Sequence, residues 1–237
     1  MFFQIFPEYI FPFLYGSLVA ISVFSVSLRI FLKYRERKNI PLLYLSLAYF
    51  CYSGAVLVAD LGFFYKIFFG SPDRPHFILA LFTAWYLSLA IVIIGNWFYF
   101  AFAQELFSVE NSLIRGVLAV FSLVGVVILL LGGLIELGSM KFVLALLLSV
   151  PVYFYIMYSS FKAWKASSDI VYIRRFQFIF LSGIFLFFIF ILFLFDALTG
   201  RYTVFYYLGW LMVILSSITS YYGYVPPVPP NSQSSSK

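Results

Sequence analysis

Residues 176–198 read FQFIFLSGIFLFFIFILFLFDAL, an apolar run in which the one charged residue, Asp196, stands near the end. A helix of about 20 apolar residues is long enough to cross the hydrocarbon core of a bilayer. Six further apolar blocks of similar length follow the same pattern, at 9–31, 41–64, 77–102, 113–135, 142–161 and 205–224. The sequence therefore predicts an all-α integral membrane protein, a bundle of seven transmembrane helices.

The composition excludes a soluble globular domain. Of the 237 residues, 64% are hydrophobic and only 10% are charged, whereas soluble domains contain about 25% charged residues. Residues 1–224 are predicted to form one transmembrane domain, because seven spans and their short connections use nearly all of this length. Residues 225–237 begin with a proline-rich stretch and continue rich in serine, so they are predicted to form a disordered cytoplasmic tail.

The uneven distribution of basic residues predicts the orientation. Lys and Arg are enriched in the cytoplasmic loops of membrane proteins. Eleven of the 15 Lys and Arg residues lie on one set of flanks: Arg29, Lys33, Arg35, Arg37, Lys38, Arg115, Lys162, Lys165, Arg174, Arg175 and Lys237. We therefore expect an outside amino terminus and a cytoplasmic carboxyl terminus in a multi-pass protein of the cell membrane. The net charge of +6 follows from these flanks, so no nucleic-acid partner is expected.

The available residue types argue against catalysis. His76 is the only histidine and Cys51 the only cysteine, whereas zinc and haem sites need suitable converging ligands. No lysine lies between Lys165 and Lys237, so the last two spans offer no amine for a retinal Schiff base. We expect a protein that is not an enzyme and that has no metal site and no cofactor.

Two acidic residues stand at matching positions in two spans. Asp60 follows Lys38 by 22 residues, and Asp196 follows Arg174 by the same interval. At a rise of 1.5 Å per residue, 22 residues of helix span about 33 Å. Both carboxylates are therefore predicted to lie near the outer surface.

Arg74 and Arg201 are expected on the same side as Asp60 and Asp196. Two acids and two arginines around a mouth between helices could bind a polar or zwitterionic ligand through charge-assisted contacts. These four residues are the candidate ligand site. In the alternative, the two acids pair with Lys66 and Arg201 and only anchor the helix ends.

The cytoplasmic flanks carry a second set of candidates, Arg35, Arg37, Lys38, Arg174 and Arg175. Anionic lipid attracts such residues by about 1 kcal/mol each. We therefore expect them to contact lipid or an acidic partner, another membrane or cytoplasmic protein. The sequence does not predict an oligomeric state.

Mild polar residues within the spans predict contacts between helices. Asn96 is expected to hydrogen-bond to a neighbouring helix, because an amide in hydrocarbon needs a partner. Ser216 and Ser220 lie four residues apart in the seventh span, a spacing of small residues that lets helix backbones approach closely. The seventh span is therefore predicted to be central or to contact another subunit.

Residues 218–227 read ITSYYGYVPP. This exit from the seventh span, together with the predicted topology, resembles the close of prokaryotic seven-helix sensor modules found at the amino terminus of histidine kinases. The resemblance implies sensing at the outer face. The chain departs from the family pattern because no kinase or other output domain follows Pro230, so the output is expected in a separate protein.

Three functions remain open from the sequence. The first is a non-catalytic, receptor-like or signal-transducing module that senses at the outer face and couples to a separate partner. The second is a structural or accessory subunit of a larger membrane complex. The third is a carrier for a neutral or apolar solute, which would require a passage through the bundle.

Overall fold

The computed structural model describes residues 7–69, 80–82, 85–107, 112–135, 137, 140–200 and 203–225. After a short 3-10 helix, Pro7–Tyr9, the chain forms seven long helices. They are α1 (Ile10–Arg37), α2 (Ile40–Phe69), α3 (Tyr86–Phe107), α4 (Ser112–Ile135), α5 (Met140–Ala166), α6 (Ile170–Thr199) and α7 (Val204–Tyr224). All seven are long and apolar enough to cross a membrane, which confirms the predicted fold class. The predicted tail lies outside the described residues except for Val225.

The bundle is arranged around α3. About 67% of an 18-residue apolar stretch of α3 is buried, against 11% of the corresponding stretch of α4, which lies at the periphery. Helix α3 packs against α2, α4 and α5, and α7 closes the bundle by packing against α6 and α1. The core at the centre of the bundle is strongly aromatic, and Tyr49, Tyr99 and Tyr153 are fully buried.

Helix α3 begins later than the sequence predicted. Its first residue is Tyr86, nine positions after the predicted start at Phe77. Trp85 has a left-handed backbone conformation, with φ of 70°, and such a residue interrupts a right-handed helix. Residues 80–82 are helical but separate from α3. The predicted third span therefore covers two separate helical segments, and Trp85 lies between them.

Helix α2 extends further than predicted. It ends at Phe69 rather than near Phe64, because the apolar and aromatic residues after Phe64 continue the helix. Asp60 is therefore nine residues, or about 14 Å, from the helix end. The residue lies within the packed bundle, with 4% of its surface exposed, and its position relative to the outer membrane surface stays a prediction.

The basic residues of α1 and α6 lie at one end of the bundle, which we call the basic end. Helix α1 finishes with Arg35 and Arg37 in its last turn. The Tyr224 hydroxyl at the end of α7 donates to Asn39 Oδ1, which joins α7 to the turn after α1. A Cβ atom on Gly223 would lie 3.0 Å from the carbonyl oxygen of Arg175, so the start of α6 is adjacent.

Candidate ligand cavity and hydroxyl network

Asp60 faces α1. Its Oδ2 atom accepts a hydrogen bond of 2.9 Å from the Ser17 hydroxyl, and a Cβ atom added to Gly16 would overlap the carboxyl group. Among the described residues, Oδ1 of Asp60 has no hydrogen-bond partner, and no described cation forms an ion pair with this residue. The alternative in which Lys66 pairs with Asp60 is therefore not what the structure contains.

Asp196 organises the turn between α6 and α7. Its Oδ1 atom accepts hydrogen bonds from the backbone N–H of Thr203 at 2.6 Å and from the Thr203 hydroxyl at 2.7 Å. Thr203 in turn caps α7 by accepting from the backbone N–H of Phe205. The carboxylate thus fixes the position of Thr203. In that position Thr203 satisfies one of the N–H groups that a helix start otherwise leaves without a partner.

The two acids therefore belong to different helix pairs, α1–α2 for Asp60 and α6–α7 for Asp196. Arg74 and Arg201, which were expected beside them, lie outside the described residues. Convergence of all four on one outer mouth stays a prediction. The described cavity has neither acid in its lining.

The second set of candidates is gathered at the basic end. Arg35, Arg37, Lys38 and Arg174 are exposed there, and Arg175 is partly exposed with its guanidinium 5.1 Å from the ring centroid of Tyr172. Whether they contact lipid or a protein stays a prediction.

A cavity lies in the half of the bundle away from the basic end. The space that the centre of a water molecule can occupy in it is about 30 Å³. Helices α2, α3, α5, α6 and α7 and the residue before α3 contribute its lining. The lining residues are Tyr52, Trp85, Ser88, Leu89, Val92, Tyr153, Leu186, Ile189, Phe190, Phe193, Trp210 and Val213. None of these twelve side chains is charged, so the cavity suits a neutral occupant.

Trp85 brings an aromatic cluster together at this cavity. Five rings from four helices have centroids 5.5–6.2 Å from its ring: Phe63, Phe142, Phe193, Tyr206 and Trp210. A left-handed non-glycine residue costs on the order of 1–3 kcal/mol. Aromatic pairs contribute roughly 0.5–1.5 kcal/mol each beyond their buried area. The ring contacts of Trp85 therefore offset the strain of its backbone.

Asn96 forms the polar centre beside the cavity. Its Oδ1 atom accepts hydrogen bonds from the hydroxyls of Tyr52 at 2.6 Å and Tyr153 at 2.8 Å, and its Nδ2 donates to the Ser149 hydroxyl at 2.7 Å. Ser149 then donates to the carbonyl of Ala145. The prediction that Asn96 bonds to neighbouring helices is confirmed, since its partners lie on α2 and α5. Tyr52 and Tyr153 also line the cavity.

A second hydroxyl network lies closer to the basic end. Tyr49 contacts the hydroxyls of Ser216 at 2.9 Å and Ser220 at 2.7 Å. Tyr99 contacts the hydroxyls of Ser220 at 3.0 Å and Ser182 at 2.5 Å. Each of these five hydroxyl-bearing residues is fully buried. Together they join α2, α3, α6 and α7, so the Ser216 and Ser220 face of α7 packs inside the bundle. Whether α7 also contacts another subunit stays a prediction.

The order of protons in this second network follows from counting, because each hydroxyl has one proton. Ser182 donates to the carbonyl of Ile179, so Tyr99 donates to Ser182 and accepts from Ser220. Ser220 has then used its proton, so the contact with Tyr49 requires Tyr49 to donate to Ser220 and to accept from Ser216. The Tyr49 hydroxyl also lies 3.0 Å from the carbonyl oxygen of Ser216, which is a second acceptor for its proton. One order satisfies every hydroxyl–hydroxyl contact in the chain.

Sequence reasoning missed the cavity and most of both networks. A spacing signal was present for part of them, because residues three or four apart share a helix face. Tyr49 and Tyr52 in α2 are three apart, as are Asn96 and Tyr99 in α3. The cavity had no such signal, because it depends on where the Trp85 ring is placed.

Comparison with known protein families, with curated proteins and with solved structures finds no match.

Proposed function

We propose that this protein is a non-catalytic, receptor-like membrane module that binds a small ligand inside the bundle and couples occupancy to a partner at the basic end. The observation that supports the proposal is the contact between the cavity and the network around Asn96. Tyr52 and Tyr153 line the cavity and donate their only hydroxyl protons to that one amide oxygen. An occupant would therefore touch two of the side chains that fix α2, α3 and α5 relative to each other.

The route from cavity to basic end runs along α6 and α7. Leu186 and Val213 line the cavity. Leu186 is four residues from Ser182 on α6, and Val213 is three residues from Ser216 on α7, so each pair shares a helix face. Both serines belong to the buried hydroxyl chain. A change in the separation of α6 and α7 at the cavity would act on that chain.

The proposal retains an outside amino terminus and a cytoplasmic basic end, as the distribution of Lys and Arg predicts. In that orientation the cavity lies in the outer half of the bundle, so the ligand enters from the outer side of the cell membrane. The exposed residues Arg35, Arg37 and Arg174 are then available to an acidic partner in the cytoplasm.

A substitution that fills the cavity tests the coupling. Val213 is 4% exposed and lines the cavity, whereas Leu211, two residues earlier on the same helix, is 38% exposed. We expect Val213→Phe to imitate occupancy and to change amide hydrogen exchange in residues 33–39 and 167–175. The matched control Leu211→Phe is expected to leave exchange there unchanged. Equal exchange in the two variants would contradict the coupling.

A structural or accessory subunit is the second candidate function, and the exposure of α4 favours it. Many of its apolar side chains between Leu113 and Leu131 face outward, including Leu113, Val120, Leu123 and Leu131, each at least 48% exposed. Lipid would cover this surface in a receptor, and other subunits would cover part of it in an assembly. The native mass of the protein, extracted from source membranes in mild detergent, separates the two. A fixed set of other subunits supports the accessory function, and a monomer or homodimer supports the receptor.

The carrier is the third candidate. Transport would require a passage between the cavity and the basic end. Tyr49, Tyr99 and Ser220 are fully buried in that part of the bundle and hydrogen-bonded to one another. A carrier would have to open this layer in every transport cycle, so we rank this function below the other two.

A further inference from the structure

The size of the cavity limits what it can hold. The centre of a water molecule can occupy about 30 Å³ of it. One water molecule needs roughly 10–15 Å³ of such space, whereas an apolar cavity that holds benzene measures about 150 Å³. The cavity therefore has room for an occupant of about two or three heavy atoms and not for an aromatic ring.

The hydroxyls in the lining offer little to a polar occupant. Tyr52 and Tyr153 donate their protons to Asn96 Oδ1, and Ser88 donates to the carbonyl of Ala55 at 2.8 Å. Each of these three lining residues is at most 3% exposed. A buried water molecule typically makes about three hydrogen bonds, and none of these hydroxyls is free to donate one to it.

Most of the remaining wall is hydrocarbon. The indole Nε1 of Trp210 is buried and out of reach of a water-sized molecule, so it supplies no donor to the cavity. Atoms that face a void lose the dispersion contacts that a neighbour would give them, and an apolar occupant restores these contacts. Seven lining side chains have no polar atom: Leu89, Val92, Leu186, Ile189, Phe190, Phe193 and Val213.

We propose that the cavity binds a small apolar molecule of about two or three heavy atoms, of the size and chemistry of dioxygen or a light hydrocarbon gas. The proposal rests on the proposed function, because it assigns a ligand class to the same cavity. Apolar molecules move favourably from water into an apolar environment, so the bilayer around the bundle is a reservoir for such a ligand.

Xenon is a suitable probe, because it is apolar and polarisable and binds in apolar protein cavities that stay dry. Nanodiscs containing the full chain and empty nanodiscs of the same lipid are equilibrated at a series of xenon pressures, and their uptake is compared at equal lipid. Lipid takes up xenon in proportion to pressure, so a binding site appears as an excess that saturates. Benzene, equilibrated in the same way, tests the size limit.

We expect a saturable excess of xenon and no saturable excess of benzene in the nanodiscs that contain the protein. Val213→Phe fills the cavity and should lose the xenon excess. Leu211→Phe is the matched control, because Leu211 is on the same helix, is exposed and does not line the cavity, and it should keep the excess. Val213→Ala, which enlarges the cavity instead of filling it, should also keep the excess.

The outcomes separate the ligand class from the proposed coupling. Absence of a saturable xenon excess, or an equal excess after Val213→Phe, would overturn the ligand class. A benzene excess as large as that of xenon would overturn the size limit. If xenon binds as expected but leaves amide hydrogen exchange in residues 33–39 and 167–175 unchanged, the ligand class holds and the coupling is wrong. Uptake by the unmodified chain decides the proposal even if Val213→Phe does not fold.

Discussion

Replacing Asn96 by leucine is the sharpest test of the polar centre, because leucine has nearly the same shape and no hydrogen-bonding group. Asn96→Leu removes three hydrogen bonds, two from tyrosine hydroxyls and one to Ser149. Ser149 keeps its bond to the carbonyl of Ala145. Tyr52 and Tyr153 each lose the acceptor for a buried proton.

Two estimates bracket the loss of stability. Hydrogen bonds between transmembrane helices average about 0.6 kcal/mol, so three of them give about 2 kcal/mol. A buried donor left without an acceptor costs roughly 1–3 kcal/mol, so two of them give about 2–6 kcal/mol. The lower part of that range applies, because helices separated in the membrane also find other partners. We expect Asn96→Leu to lower the free energy of unfolding by about 2–3 kcal/mol.

Titration with sodium dodecyl sulfate in mixed micelles measures this free energy of unfolding. The decisive control is the triple variant Asn96→Leu, Tyr52→Phe, Tyr153→Phe, which removes the two hydroxyls together with their acceptor. We expect it to regain stability to within about 1 kcal/mol of the unmodified chain, since a polar group absent altogether has no unmet bond. A triple variant as unstable as Asn96→Leu alone would refute the role given to the tyrosine hydroxyls.

Two further substitutions test the placement of the acids. Gly16→Ala places a Cβ atom where the Asp60 carboxyl group lies, and we expect a loss of about 1–3 kcal/mol of unfolding free energy in the same titration. Gly54→Ala, at a position with nothing within 4 Å, is the control and should lose less than about 0.5 kcal/mol, or the steric argument fails. Asp196→Ala removes the acceptor for Thr203 and should cost about 1 kcal/mol, whereas Asp196→Asn keeps an acceptor and should retain most of the stability. Equal losses in the two Asp196 variants would contradict its role as an acceptor.

The seven helices could be predicted from the sequence because the bilayer imposes a length and a polarity on every span. Asn96 could be predicted as a contact between helices for a related reason, since an amide in hydrocarbon needs a hydrogen-bond partner on another helix. The start of α3 could not be predicted from the sequence. The hydropathy of residues 77–85 resembles that of a helix, and the break depends on the left-handed backbone of Trp85, which the local sequence does not indicate.

The surroundings of Asp60 could not be predicted from the sequence either. Counting 22 residues from Lys38 gave a distance along the helix and carried no information about where α2 ends or which helix it faces. Gly16 leaves space in α1 for the carboxyl group, and Ser17 supplies one hydrogen bond. This pairing of a small residue with a polar side chain arises between two helices. The sequence of either helix alone therefore does not predict this pairing.

The hydroxyl chain makes the helices of the core interdependent. Ser220 accepts from Tyr49 and donates to Tyr99, and Tyr99 in turn donates to Ser182. An interior member of the chain that moves away loses two bonds at once. Tyr49 can turn its proton to the carbonyl of Ser216, but Ser220 and Tyr99 cannot reverse alone, because a neighbour would then present a second proton or none. A displacement of α6 or α7 at the cavity would therefore break the chain or carry its other helices along. This second response favours coupling of an occupied cavity to the basic end, although none of the groups involved is charged.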